Sequence, residues 1–290
     1  MFDALVRGLQ ERATRAMPAE QVKEIDGWQL RHAPGCSWWV GTVLPHGFAD
    51  QEELLLRVVE AEEFYAGHGE TPRFQLTPGV CPDELDRILA DRGYWWQSPI
   101  SLQVASVEQV VARTPQGSLR VRLDEQPTRA WFDAWHAVKG HGGDTRAEWE
   151  MLGRIEGSAA YACAISGVDV VAIGRTVVDS GWAGVFGMAT MAEARGRGAA
   201  RSVLAALAEW AGTRRVDGMY LQVECDNTRA LRLYERMGFT EVCQYHYRLP
   251  QTIDDLPATR VGSQGFTSQK APILNLPRPQ DIAITDPTCT

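Results

Sequence analysis

The pattern of apolar and polar positions predicts alternating helices and strands along most of the chain. The clearest helical signal lies at 198–211, where Val203, Leu204, Leu207 and Ala211 recur with a period of about 3.6 residues. In the C-terminal half the pattern predicts strands at 118–123, 159–165, 170–178, 182–190, 219–224 and 239–249, and helices at 128–139, 145–155, 198–211 and 227–237. Because hairpins lead into strand–helix–strand units, we expect a mixed sheet.

The same order of elements occurs twice. The motifs DRGY (91–94) and RMGF (236–239) each follow a helical segment and precede a strand-like one, and Gly93 and Gly238 are 145 positions apart. Sliding the chain by the same distance superposes the helical segments 53–67 and 198–212 without gaps. Residue identity is low and the pattern of elements is what matches, which is typical of two related units.

The repeat predicts an α/β (α+β) protein of two units, 1–105 and 106–250. Each is expected to be a mixed, mainly antiparallel twisted sheet flanked by helices. The stretch 106–118 is interpreted as a linker because it is polar and contains Pro115 and Gly117. After Pro250 the chain is rich in proline and threonine, so 251–290 is predicted to be a loosely ordered tail or to lie over the surface.

Composition narrows the class of protein. The chain has 290 residues, 44% of them hydrophobic, and a net charge of −8, which is typical of a soluble globular protein. The acidic charge speaks against nucleic acid or an anionic membrane as partner. The N-terminus lacks the apolar core of a signal peptide, and a cytoplasmic protein is expected. The cysteines form no CxxC pair and the histidines no HExxH, so no metal is expected.

The segment RGRGAA (195–200) lies between a predicted strand and a predicted helix. The first N–H groups of a helix have no partner within it, and the helix dipole adds partial positive charge there. Gly196 and Gly198 allow close approach of a ligand and positive φ angles. Three arginines add charge: Arg195, Arg197 and Arg201. The segment predicts a diphosphate site, with a solvated basic turn as the alternative.

A second pattern follows one strand later, in the predicted helix 227–237. Asn227, Ala230, Tyr234 and Met237 share one face of that helix. Taken alone, the stripe is typical of a helix packed on a core, with Tyr234 as a half-buried aromatic residue. Its position after the RGRGAA segment makes Tyr234 a candidate functional residue.

Together, R-x-x-G-x-A (Arg195 to Ala200) and N-x-x-A-x-x-x-Y-x-x-x-G-F (Asn227 to Phe239) resemble the GNAT superfamily of acyl-CoA-dependent N-acyltransferases. The resemblance covers about 118–250, and the whole chain resembles a tandem GNAT layout with a degenerate N-terminal copy. It implies GNAT-like units and acetyl-CoA, or another acyl-CoA, as co-substrate.

The resemblance also implies a role for each matching position. Backbone groups of one strand would bind the pantetheine arm and the acyl carbonyl: Met188, Ala189 and Thr190. The main chain of the following turn would bind the pyrophosphate: Arg195, Gly196, Arg197, Gly198, Ala199 and Ala200. Asn227 would contact the pantetheine arm, and Tyr234 would protonate the departing thiolate. The chain departs from the family at Ala192, where proline is frequent, and at Thr190, where a small aliphatic residue is commoner.

An amine must lose a proton before it attacks a thioester, and a carboxylate is suited to accept that proton. Glu224, at the end of a predicted strand, is the leading candidate for this base, with a solvent-facing carboxylate as the alternative reading. Asp144, Glu148 and Glu150 are weaker candidates. Because they form an acidic segment where the family shapes its acceptor pocket, we expect a cationic amine as acceptor.

The first unit is expected to be chemically silent. At the 145-residue offset Pro82 aligns with Asn227, Leu89 with Tyr234 and Asp50 with Arg195. The first unit would then support the catalytic unit and form one wall of its acceptor pocket. Its tryptophans are expected mainly in core and inter-unit packing: Trp28, Trp38, Trp39, Trp95 and Trp96.

The predicted function is N-acetyl transfer to a primary amine of a small molecule, by a monomer or homodimer. Three alternatives stay open: a protein or peptide N-acetyltransferase, an aminoacyl-tRNA-dependent acyltransferase of the same fold, and a non-catalytic acyl-CoA sensor.

Overall fold

The computed structural model of the chain describes residues 2–113, 119–139, 143–216 and 218–250. Within these ranges the α-helices are α1 (Phe2–Ala16), α2 (Gln51–Ala66), α3 (Asp83–Asp91), α4 (Val107–Ala112), α5 (Arg129–Lys139), α6 (Thr145–Gly153), α7 (Ala199–Gly212) and α8 (Thr228–Arg236). None of the helices in this part of the chain is both long and apolar enough to span a bilayer. The predicted tail 251–290 lies outside the described residues.

The strands are β1 (Gln21–Ile25), β2 (Trp28–His32), β3 (Val43–Pro45), β4 (Phe74–Leu76), β5 (Trp95–Ser106), β6 (Arg120–Asp124), β7 (Ser158–Ser166), β8 (Asp169–Asp179), β9 (Trp182–Thr190), β10 (Gly218–Glu224) and β11 (Thr240–Leu249). They form one sheet in the order β1-β2-β3-β4-β11-β5-β10-β9-β8-β7-β6. Only β3–β4 and β9–β10 are parallel among these pairs. A mixed, mainly antiparallel sheet flanked by helices confirms the predicted fold class.

Most elements predicted for the C-terminal half lie within two residues of their observed bounds, and the strand 182–190 coincides with β9. The linker interpretation is wrong for Val107–Ala112, which form α4. The Ser106 side chain accepts a hydrogen bond from the Gln109 N–H and so caps this helix. Val107 is buried in the same apolar cluster as the residues of α7, so α4 packs on the core. The polar composition of the segment did not indicate this packing. Residues 114–118 lie outside the described part.

Two halves of the chain show matching elements at the predicted spacing. Shifting α3 by 145 residues gives the bounds of α8, and both helices are followed by a glycine in the left-handed region. The φ angles are 86° at Gly93 and 95° at Gly238. Because that region favours glycine, the two motifs share a backbone requirement as well as a pattern.

The two halves exchange their last strands. β5 lies between β10 and β11, and β11 lies between β5 and β4. His246 of β11 pairs with Leu76, while Glu224 of β10 pairs with Ile100 of β5. Strand 95–106, assigned to the first unit from the sequence, therefore completes the sheet beside the second. The division at residues 105 and 106 stays a prediction.

The sheet of the C-terminal half is covered on both faces. Along β7, Ala160 and Ala162 belong to the apolar cluster that contains α7, whereas Tyr161 and Cys163 belong to the cluster that contains Trp131 of α5. This alternation is the one expected of a strand buried on both sides. A third cluster, around Trp28, fills the N-terminal half beneath α2 and α3.

Candidate active site

Pairing between β9 and β10 stops part-way along the strands. The parallel register runs from Trp182 and Gly218 to Val185 and Leu221, although β9 continues to Thr190 and β10 to Glu224. Backbone groups of the two strand ends are therefore not bonded to each other. An opening at this point in a sheet exposes main-chain donors and acceptors to a ligand.

A β-bulge lies at the same place. Ile173 and Arg175 of β8 pair with Ala189 and Phe186 of β9, so β9 carries one extra residue there. Gly187, inside the bulge, has a φ of 62°, a conformation that favours glycine. The sequence analysis missed this residue, and its signal was a glycine inside an otherwise apolar strand.

A cavity of about 290 Å³ opens between the strand ends. The C-terminal half contributes β8, β9, β10, β11, α5, α6 and α8, and the N-terminal half contributes Met17, 37–40 and Ile100. Five residues predicted for the site line this cavity: Met188, Glu224, Asn227, Tyr234 and the weaker candidate Glu148. The structure thus brings the proposed proton donor, the proposed base and one end of β9 to a single cavity.

Tyr234 lies on α8 with its ring buried against the edge of Phe239. Its hydroxyl makes no hydrogen bond to another residue in the described ranges. Burial raises the pKa of Tyr234 to about 12, because the phenolate is poorly solvated there. The hydroxyl is therefore protonated at neutral pH, and Tyr234 is one of the residues that line the cavity.

Asn227 is the N-cap of α8, and its side-chain oxygen accepts a hydrogen bond of 3.2 Å from the Ala230 N–H. This contact satisfies one of the free donors at the helix start. The side-chain NH₂ remains free to donate to a ligand. Asn227 consequently orients the helix that carries Tyr234 as well as lining the cavity.

Two carboxylates reach the cavity from different sides. Glu224 ends β10, is exposed, and its carboxylate has no hydrogen-bond partner in the described part of the chain. Glu148 on α6 is 2% exposed and accepts hydrogen bonds from the backbone N–H of Ser37, at 3.2 Å, and from the Ser37 hydroxyl. Gly143 packs against this pair so closely that a Cβ would be 2.8 Å from the Ser37 nitrogen.

Asp144, Glu148 and Glu150 are held by different contacts, and the cationic acceptor expected from this acidic segment stays a prediction. Asp144 is the N-cap of α6 and accepts hydrogen bonds from the N–H groups of Arg146 and Ala147. Glu150 forms an exposed ion pair with Arg146. Of the three predicted carboxylates, Glu148 is the one that lines the cavity.

The RGRGAA segment forms an exposed turn before α7. Gly196 and Gly198 have φ angles of 78° and 83°, and the first hydrogen bond of α7 runs from Ser202 N–H to Gly198 C=O. The N–H groups before Ser202 therefore have no helical partner. Arginine side chains surround them without an ion pair to any carboxylate in the described ranges: Arg195, Arg197 and Arg201.

Arg195 also connects this turn to the end of β9. Its Nε donates a hydrogen bond of 3.3 Å to the Thr190 carbonyl. Met188, Ala189 and Thr190 thus lead directly from the cavity to the turn, with Ala189 and Thr190 paired to β8 on their other side. The predicted cofactor residues 188–190 and 195–200 thus follow each other along the chain, joined by 191–194, while Asn227 lies apart at the start of α8.

The N-terminal half carries different groups at the equivalent positions. Asp50 and Glu53 form a capping box at the start of α2, which places negative charge where an anion would have to bind. Pro82 begins α3 without a side-chain cap, and Leu89 is fully buried. These features fit the expectation that this half lacks the anion site and the acid.

The tryptophans of the N-terminal half have three different environments. Trp28 is fully buried in the core, as expected. Trp38 and Trp39 line the cavity instead, and Trp95 and Trp96 are about half exposed, at 48% and 52%. The sequence analysis also missed Ser37, since nothing local in its segment points to a distant glutamate.

A mixed sheet that opens between two parallel strands, a glycine-rich turn at the next helix and a tyrosine on the helix after it define an acetyltransferase of the GNAT class. Residues 3–248 match the family described as "Probable histone acetyltransferase Rv0428c C-terminal". The chain belongs to this family, and the predicted GNAT membership is confirmed.

Relatives and solved structures agree with this assignment. The "Uncharacterized N-acetyltransferase YobR" of Bacillus subtilis (strain 168) is 26% identical over 251 residues, which cover 84% of this chain and 98% of the relative. A GCN5-related N-acetyltransferase from Kribbella flavida has a TM-score of 0.66 at 16% identity, covering 87% of this chain and 98% of its own.

A tandem GNAT protein from the clavulanic acid biosynthesis pathway has a TM-score of 0.55 at 12% identity, covering 80% of this chain and 84% of its own. At these identities the likeness of the two solved structures concerns the fold. It extends through both halves of the chain.

Proposed function

We propose that the protein transfers an acetyl group from acetyl-CoA to a primary amine of a small molecule by direct attack. The observation that carries this proposal is the meeting of Tyr234, Glu224 and the free end of β9 at one cavity. Residues 106–250 supply these groups. The N-terminal half acts as a wall of the acceptor pocket through Ser37 and Trp38.

Acyl-CoA would bind along the path from the turn to the cavity. The free N–H groups and arginines of the turn 195–200 suit the pyrophosphate. The unpaired edge of β9 at Met188 suits the pantetheine amides, and the Asn227 NH₂ can donate to the same arm. The residues present thus offer groups that suit the pyrophosphate and the pantetheine arm of the co-substrate.

The chemistry needs one proton acceptor and one proton donor. Glu224 takes a proton from the ammonium form of the acceptor, directly or through water, and the free amine attacks the thioester carbon. Backbone N–H groups of the β9 bulge stabilise the negative oxygen. The C–N bond forms, the C–S bond breaks, and Tyr234 gives its proton to the sulfur. The nitrogen of the new amide then loses its second proton, which restores Tyr234 by way of solvent, and Glu224 releases its proton to solvent.

The volume of the cavity favours a small acceptor. About 290 Å³ lies near the lower end of the usual small-molecule range. Residues 37–40 of the N-terminal half form part of the cavity wall, which favours a closed pocket over an open peptide groove. The family description names a histone acetyltransferase, so a lysine peptide belongs among the acceptors to be tested.

The test is a titration of acetyl-CoA by calorimetry, followed by a screen for free thiol release with small primary amines and with a lysine-containing histone-tail peptide. We expect acetyl-CoA to bind and small amines to accelerate thiol release above the rate of buffer hydrolysis. Fastest release with the peptide would move the proposal to a protein acceptor. Binding without release on any amine would indicate a sensor, and no binding would overturn the proposal.

A further inference from the structure

Arg175 is a buried cation in the wall of the proposed acceptor pocket. It lies on β8, is 3% exposed and lines the cavity. Its guanidinium donates one hydrogen bond of 2.9 Å to the Ala16 carbonyl and lies 4.9 Å from the centroid of the Phe186 ring. No carboxylate in the described ranges forms an ion pair with it. A buried charge usually has a partner of opposite sign.

The carbonyl of Ala16 compensates only part of this charge. It ends α1, and the C-terminus of a helix carries about half a negative charge. A guanidinium has five N–H donors, and one of them is used here. The remaining donors give Arg175 the capacity to bind an anionic group from the cavity, in the two-pronged geometry that carboxylates favour.

Apart from Arg175, the cavity is lined mostly by apolar side chains and by two carboxylates. Aromatic residues form much of its wall: Trp38, Trp131, Trp135, Phe186, Tyr245 and Tyr247. Glu148 and Glu224 supply negative charge. One oxygen of Glu148 accepts both bonds from Ser37, which leaves the other oxygen for a ligand. The pocket thus offers a cation, carboxylates and an apolar surface to one molecule.

We propose that the acceptor is an amino acid with an apolar side chain or body, whose carboxylate is bound by Arg175 while its amine faces the carboxylates. This inference rests on the proposed function and names the substrate class of the same site. Arg175 is then a specificity-determining residue: it selects acceptors that carry a carboxylate as well as an amine.

Arg31 provides a matched control. It is also 3% exposed and donates a hydrogen bond of 2.9 Å to the end of α1, at the Met17 carbonyl. It lies on β2 and does not line the cavity. Both arginines stabilise the end of the same helix, so a purely structural role predicts similar effects of replacing either one.

The experiment compares acceptors that carry a carboxylate with those that carry a neutral amide in its place, each rate referred to the concentration of free amine: phenylalanine with phenylalaninamide, and 6-aminohexanoate with 6-aminohexanamide. With saturating acetyl-CoA, wild-type kcat/KM should be about 10- to 100-fold higher for a carboxylate, as hydrogen bonds to charged groups imply. Arg175→Met should reduce that preference to less than about twofold. Arg31→Met should retain it, and Arg175→Lys should keep part of it.

Each outcome decides the matter. Equal use of both members of each pair by the wild type overturns the inference without any variant, even if Arg175→Met does not fold. An unchanged preference in folded Arg175→Met also overturns it. Thiol release with amines but without carboxylate preference leaves the proposed function intact. No release with any amine overturns the proposed function, and this inference with it.

Discussion

A phenol that is buried keeps its proton over a wide range of pH. For Tyr234 burial raises the pKa to about 12, so the neutral form is retained well above pH 7. An ordinary thiol has a pKa of about 8.5, so a free thiolate is a weaker base than this phenolate, and Tyr234 would donate its proton as the C–S bond breaks. At the equivalent position the N-terminal half has buried Leu89, which packs but cannot donate.

Tyr234→Phe should lower kcat by about 100-fold or more, within the range for loss of an acid catalyst, and leave the Kd of acetyl-CoA unchanged. Steady-state kinetics and calorimetry measure the two effects.

Tyr161→Phe is the matched control, since Tyr161 is buried against Trp131 and does not line the cavity. The wild type should also lose no activity through Tyr234 ionisation below about pH 10. Wild-type turnover in Tyr234→Phe would assign the proton to water or another residue.

Residues of the site differ in how far the sequence could reveal them. Asn227 and Tyr234 belong to one helix, and their spacing is a local pattern. Arg175 and Ser37 have no such signal, because each gains its role from a segment more than 100 positions away, on Ala16 and on Glu148. Local patterns predict what a segment is, whereas these contacts depend on how segments meet.

At the scale of single elements, the turn before α7 depends on the backbone φ angles of its glycines. Gly198 has a φ of 83° and only the Arg201 side chain near its absent Cβ, so the space in front of it is open to a ligand. Valine would fill that space and disfavour the positive φ. The sequence predicted this turn because glycine, arginine and a helix start occur together within six residues.

Gly198→Val should abolish measurable binding of CoA while the protein stays folded. Calorimetric titration measures binding, and a thermal melt monitors folding. Gly167→Val is the control: Gly167 has a φ of 64°, with nothing within 4 Å of a built Cβ, in the turn between β7 and β8. Valine at position 167 has comparable backbone strain, but it lies outside the turn 195–200. Unchanged CoA affinity in Gly198→Val would contradict the phosphate-binding interpretation.

A second element-scale feature joins α3 to the exchanged strand β11. Asp86 accepts hydrogen bonds from Arg248 at 2.8 and 2.9 Å and contacts the His246 ring nitrogen at 2.8 Å. Burial alone would raise the pKa of Asp86, but these hydrogen bonds and charges lower it well below its usual range. The ionised carboxylate therefore favours the folded state.

Asp86→Asn should lower the urea midpoint of unfolding at pH 7. The pKa of Asp86 is depressed in the folded protein, so its contribution is complete above the unfolded pKa of about 4 and decreases as the pH falls further. The difference between wild type and variant should consequently shrink below pH 4. Asp91→Asn, at an exposed pair on the same helix, is the control. A difference that is constant from pH 7 to pH 3 would exclude the ionic contribution.

At the scale of the whole molecule, the exchange of β5 and β11 makes the two halves interdependent. The sequence predicted the repeated elements because each has its own period. It did not predict which strands pair, since β-strand partners are set by contacts between distant segments. Residue 105, a natural boundary in the repeat, lies in a strand bonded to both β10 and β11.

A fragment of residues 106–250 should aggregate, because it lacks β5 and leaves both β10 and β11 with an open edge. A fragment of 95–250 retains β5 and should stay in solution at higher concentration, without acetyl transfer, since the wall at Ser37 and Trp38 is missing. Size-exclusion chromatography and thiol release measure the two properties. A soluble, fully active 106–250 fragment would refute the supporting role of the N-terminal half.

The exchange also has a consequence for synthesis on the ribosome. β4 ends at Leu76, yet its partner residue His246 is translated 170 positions later, about 10 to 30 seconds at ordinary elongation rates. During that interval β4 has no partner on the edge that β11 will occupy. β5 is already synthesised, but both of its neighbours in the sheet, β10 and β11, are not. A chain that terminates anywhere before Thr240 therefore lacks β11, a strand from the middle of the sheet. Neither half of such a chain can form its complete set of strand pairs.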